Sequence, residues 1–80
     1  MNLSLAELAL QAAEHALMAT CIDEASLLIR RAGEMWRRAT DGKTLRAEDL
    51  KRSDAFHRKS IRLAMDIKAA KRIFPVRAQS

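Results

Sequence analysis

Phe56, Ser60, Leu63, Ile67, Ala70 and Phe74 succeed one another at intervals of 4, 3, 4, 3 and 4 residues. That spacing returns to one side of an α-helix but wanders over both faces of a β-strand. It is heptad-like, and a heptad seam is the surface one helix offers another. Leu50, His57, Ile61 and Ala64 widen the stripe, which predicts a helix packed against two neighbours. Thr44 is the expected cap, and Lys68, Lys71 and Arg72 suit the negative end of the helix dipole. Pro75 restricts Phe74 and has no N–H, so the helix is expected to span about 45–74. Residues 76–80 read as a frayed tail beyond a single domain of residues 1–75.

The rest of the chain reads the same way. Gly and Pro number two and one among 80 residues, and β-branched and aromatic side chains are scarce beside Ala, Leu, Arg, Glu and Lys. This favours helix over sheet. A first helix is expected over 5–20. Ser4 and Glu7 have capping-box spacing, Leu3 and Leu8 the spacing of a hydrophobic staple. Its stripe reads as Leu5, Leu8, Ala9, Ala12, Ala13 and Ala16. Continued as one helix, that stripe would bury Asp23, so a break is expected at 20–23, with Asp23 or Thr20 capping a second helix over 23–41. The second seam is Ala25, Leu28, Ile29, Ala32, Met35/Trp36 and Ala39. Glu34–Arg38 and Arg37–Asp41 have i,i+4 spacing for surface pairing, and Gly42 is the natural terminator. The expected fold is an all-α, three-helix antiparallel bundle. Its expected core includes Leu8, Ala12, Leu28, Ile29, Ala32, Trp36, Phe56, Leu63 and Ile67.

Charge is divided unevenly. Residues 1–29 hold Glu7, Glu14, Asp23 and Glu24 and no Lys or Arg; all fifteen cations lie in 30–80, beside six acids. A basic field attracts phosphate, anionic lipid or acidic protein, yet Lys and Arg also serve simply to solvate a helix. Arg30, Arg31, Arg37, Arg38, Arg58, Arg62 and Arg72 are the candidate contacts to a partner or a nucleic acid. Trp36 and Phe56 fall on apolar seams and read as core, not as platforms for bases. A recognition helix after a tight turn is not evident, which leaves non-specific backbone binding as the nucleic-acid alternative.

Little else suggests chemistry. His15, Cys21 and His57 lack metal-ligand spacing. His57 reads as a packed side chain and Cys21 as a small buried hydrophobe at a helix junction. No Gly-rich phosphate loop or nucleophile motif is present, and so short a chain has little room to enclose a substrate. No catalysis, cofactor or small-molecule substrate is expected. A single cysteine suits a reducing cytoplasm. The N-terminal stretch lacks a basic start and is interrupted by Glu7, Glu14 and His15, unlike a signal peptide. No apolar run reaches the ~20 residues of a membrane span.

Residues 12–39 resemble a tetratricopeptide-type helical hairpin. Ala13 fits the small first-helix position, and Asp23-Glu24-Ala25, Ile29 and Ala32 are similar to the small–large–small second-helix pattern. The glycine and terminal proline of that repeat are missing. A hairpin followed by one long helix also resembles MIT-type three-helix domains. These resemblances imply a module that binds proteins or peptides and is not an enzyme. The residues add a reason of their own: Leu10, Leu17, Met18, Ile22, Leu27, Ile61 and Met65 exceed what so small a bundle can bury, and exposed apolar patches mark interfaces. A protein partner or a homodimer is the expectation.

Overall fold

A computed structural model describes residues 3–73. It contains three α-helices: α1 Leu3–Met18, α2 Ile22–Thr40 and α3 Ala47–Ile73. The fold is the expected all-α bundle. The expected tail at 76–80 and the Phe74–Pro75 terminator lie outside the described residues.

The break between α1 and α2 falls where Asp23 demanded it, but a different device makes it. The Cys21 N–H donates to the Ala16 carbonyl at 2.8 Å, and the Thr20 N–H to Leu17 at 2.9 Å. Thr20 carries φ 59°. This is a Schellman turn with threonine in the left-handed position usually taken by glycine. Neither Asp23 nor Thr20 caps α2. Cys21 occupies the N-cap without a side-chain hydrogen bond, and its carbonyl accepts the Ala25 N–H at 2.9 Å. Asp23 and Glu24 sit in the first turn, where the helix dipole favours them. At the other end Gly42 takes φ 70°, as expected of the terminator. The Asp41 N–H closes the last turn onto the Arg37 carbonyl at 2.8 Å. Thr44 is not the cap of α3: that helix starts later, with the Arg46 carbonyl accepting the Leu50 N–H at 2.8 Å.

Two clusters form the core. Leu3, Ala6, Leu10, Ala32, Trp36, Phe56 and Leu63 make one; Ala16, Ile22, Ala25 and Ile67 make the other, with half-buried Leu17 and Ile29 touching both. Trp36 and Phe56 stack with centroids 4.5 Å apart and planes 16° from parallel. Ala6, Ala25 and Ala32 are wholly buried. Lacking bulk, they let the α1 and α2 backbones approach closely, and each helix gains dispersion contacts along its length.

The α1 stripe is rotated from the expected one. Leu8 and Ala12 are exposed, Leu8 by 59%. The buried seam is Leu3, Ala6, Leu10, Ala13 and Ala16. Ser4 lies inside the helix, so neither the capping box nor the Leu3–Leu8 staple forms. Glu7 and Glu14 move with this rotation. The sequence stripe would set both acids opposite the core. The fold sets them on its flank, where the Arg52 guanidinium grips Glu7 with two hydrogen bonds, Nε to Oε2 at 3.1 Å and Nη2 to Oε1. Lys59 Nζ meets Glu14 Oε1 at 2.9 Å. Seven residues separate the acids and seven the cations, so α1 and α3 run parallel in matched register.

Candidate interaction surface

Expected apolar excess is met in part. Leu10 and Ile22 are buried and Leu17 half-buried, whereas Met18, Leu27, Ile61 and Met65 remain exposed, together with Leu5, Leu8, Met35, Leu50 and Ile73. Four of them, Leu5, Leu8, Ile61 and Met65, fall into two regions. One is the outer side of α1, where Leu5, Leu8, Ala12 and His15 make a strip without Asp, Glu, Lys or Arg. The other is concave and lies between α2 and α3.

The groove between α2 and α3 has two adjoining hollows that share Ile29. The first, of about 410 Å³, is walled by Ile29, Ile61, Met65 and Ile67, with Lys68 and Lys71 at its edge. The second, of about 440 Å³, lies over the edges of Trp36 and Phe56 and is bordered by Gly33, Arg37 and His57. Its cause is side-chain size. Ser26, Gly33 and Thr40 recur every seven residues on α2 and so share one strip. Ser53, Ser60 and Ala64 do the same work on α3. The two helices touch through Trp36–Phe56 below this line, and short side chains leave the space above it open.

His57 is exposed as a residue, but its ring packs edge-on against Trp36 and Phe56, at 6.4 and 5.8 Å between centroids. Its Nδ1 is 2.8 Å from the Ser53 carbonyl, a hydrogen bond when that nitrogen carries the proton. The Cys21 thiol is exposed, contrary to the buried reading. It stands at the turn between α1 and α2. Among the described residues, no three His, Cys, Asp or Glu side chains converge as a metal site, and no helix is long and apolar enough to cross a membrane.

The seven arginines do not converge. All are exposed. Arg30 and Arg37 share a strip of α2, and Arg31 and Arg38 another about 100° round. Arg37 alone of the seven reaches a wall of the groove. Arg58 and Arg62 border a separate hollow of about 590 Å³ beside α1, in which Glu14, Asp54 and Asp66 intermix. Arg58 is paired with Asp54 at 3.2 Å, and the surface pairing expected on α2 is found here instead. Arg72 lies in the last turn of α3.

The α1–α3 pairs perturb their own titration. The hydrogen bond and positive charge of Lys59 hold the Glu14 carboxyl below its ordinary value, with smaller help from His15 and Arg62. The Glu7 hydrogen bond pushes the Arg52 guanidinium further up. Both pairs are near two-fifths exposed, so they fix register more than they add stability. The sequence reading missed them and the groove alike. The signal for the pairs was the shared seven-residue spacing of Glu7/Glu14 and Arg52/Lys59. For the groove it was the heptad run of Ser26, Gly33 and Thr40.

Comparison with family models, with curated proteins and with solved structures gives no match.

Proposed function

We propose that this protein is a non-catalytic helical interaction module that binds a protein partner, or itself, through apolar helix faces left outside its own core. The α2/α3 groove carries this reading. Ile61 and Met65 stand 61% and 66% exposed along it, although Leu63 and Ile67 on the same helix are buried. Leaving an Ile or Met side chain in water forgoes about 1.5–3 kcal/mol that burial would supply. A partner surface recovers that energy. A module of the tetratricopeptide or MIT type acts in this manner, and the lone exposed Cys21 suits a cytoplasmic setting.

The second reading, sequence-non-specific binding of nucleic acid, is favoured by Arg30, Arg31, Arg37, Arg38, Arg62 and Arg72. Among the described residues these form no ion pair. Their dispersion over several strips weighs against a single phosphate track.

Extract of the native cell, with and without nuclease, passed over immobilised wild-type protein and over Ile61→Glu/Met65→Glu, separates these readings. Retention of a protein by wild type alone supports the module. Retention that nuclease abolishes supports nucleic acid. Sedimentation of the free protein reads self-association: a wild-type dimer that the double variant dissociates assigns the face to a second copy.

A further inference from the structure

We infer that the α2/α3 groove seats one amphipathic helix supplied by another protein, with an apolar seam flanked by Asp and Glu. This rests on the interaction-module reading and names the chemistry of the partner.

Shape comes first. From Ser26 to Thr40 the small-residue strip of α2 runs about 21 Å, close to four helical turns. The opposing wall of α3 is similarly short-chained at Ser53, Ser60 and Ala64. An open trough of this length, with Ile29, Ile61 and Met65 along it, matches one helix laid in a hydrophobic groove. Gly33 is the second observation. It sits mid-helix, where glycine is a poor helix former. A Cβ built there meets no atom within 4 Å, and its φ is not left-handed. Nothing in the free fold requires a glycine at this position. An occupant whose backbone comes close to α2 does.

Charge selects the occupant. The groove walls bring Arg37, Lys68 and Lys71 and no carboxylate. None of these three takes part in an ion pair among the described residues. A seam bordered by acids would find cations on both walls. A second copy of this chain does not supply such a helix. The acids of α1 are engaged by Arg52 and Lys59, and its outer strip carries no Asp or Glu. On α2 and α3 acids are mixed with arginines and lysines, which would face the groove's own cations. A nucleic acid would satisfy the lysines but would press its phosphates against Ile29, Ile61 and Met65.

Two labelled peptides of roughly 18 residues test this. Both carry one Leu/Ile seam on the same helical register, flanked by Glu in one and by Lys in the other. Fluorescence anisotropy at low salt reads affinity, and amide shifts in the intact protein read the place of binding. The Glu peptide should bind one to one and at least about tenfold tighter than the Lys peptide, a difference of about 1.4 kcal/mol, shifting amides around Gly33 and Ala64. Gly33→Leu, which fills the trough, should keep the helical circular dichroism and lose at least about tenfold in affinity. Lys68→Glu/Lys71→Glu should narrow or reverse the preference between the peptides. Equal binding of the two peptides, or displacement of the Glu peptide by a duplex DNA at equal concentration, overturns the acidic helix and leaves the groove as an interaction surface. Shifts confined to Leu5 and Leu8, or no binding of either peptide at millimolar concentration, overturn the groove as well.

Discussion

Thr20 is the one non-glycine residue with positive φ among the described residues. It is β-branched and holds φ 59°, a conformation that crowds its Cβ and costs an L-residue about 1–2 kcal/mol. The Schellman turn needs that geometry, because only there do the Thr20 and Cys21 N–H groups reach the last α1 carbonyls. Glycine adopts it freely but gives up about 0.5–1 kcal/mol of unfolded-chain entropy. Thr20→Gly is therefore expected to raise stability by about 0.5–1 kcal/mol, seen as a higher urea midpoint with an unchanged slope. The gain is small because the entropy that glycine gives up offsets part of the relieved strain. A fall in the midpoint would mean that the Thr20 hydroxyl, 2.6 Å from the Ala19 carbonyl, matters more than its backbone strain.

At the scale of the helix, α1 separates what hydrophobic spacing says from what it leaves open. Leu10 is 2% exposed and Leu8 59%, two residues apart on one element. Leu10→Ala should cost about 2–5 kcal/mol in chemical denaturation, whereas Leu8→Ala should stay within about 0.5 kcal/mol. Similar losses at both positions would return α1 to the stripe its sequence suggested. In α3 the seam was legible because Phe56, Leu63 and Ile67 stand among charged residues and only one rotation buries them. In α1 apolar residues occupy nearly every direction, so the period shows a helix but not which side faces inward. The rotation is instead marked by Glu7 and Glu14, whose meaning depends on Arg52 and Lys59 some 45 residues away. Spacing within a single helix cannot express such a partnership. The groove was hidden for a related reason: Ser26, Gly33 and Ser60 look like ordinary surface residues until two helices are set side by side. The Glu14 pair also has a pH signature. Its carboxyl is lowered from 4.5, so the folded state binds that proton less readily than the unfolded chain. The stabilisation is complete above the ordinary value and is lost as pH falls through the lowered one. Lys59→Met should return the Glu14 titration, followed by carboxyl NMR, to the ordinary range and flatten that part of the acid-unfolding curve.

Across the molecule, the three helices are not held equally. Five of the 16 residues of α1 are buried and four of the 19 in α2, but only three of the 27 in α3. α1 and α2 meet along an alanine-lined seam. α3 adds Phe56, Leu63 and Ile67 and two half-exposed ion pairs, and is open to solvent along the groove. The described residues form a rod of 46 × 18 × 17 Å, and in a rod the ends share few contacts. Free energy of local opening follows buried apolar contact, so it should fall along α3 beyond Ile67, where Lys68, Ala69, Lys71, Arg72 and Ile73 are all exposed. Native-state hydrogen exchange should show the central amides of α1 and α2, with those near Phe56 and Leu63, exchanging only through global unfolding. The amides from Lys68 to Ile73 should exchange through smaller openings, nearly independent of denaturant. Uniform protection over all of α3 would show that the groove leaves the bundle as cooperative as a filled core. If the groove is filled by an added helix, Ile61 and Met65 become buried and α3 gains the contacts it lacks. Protection around Ile61 to Lys71 should then rise with occupancy, while that of the α1 centre, set by a seam already closed, should change only as far as global stability does. Ligand-linked protection that begins at the groove and spreads along α3 is the behaviour expected of a bundle completed by its partner.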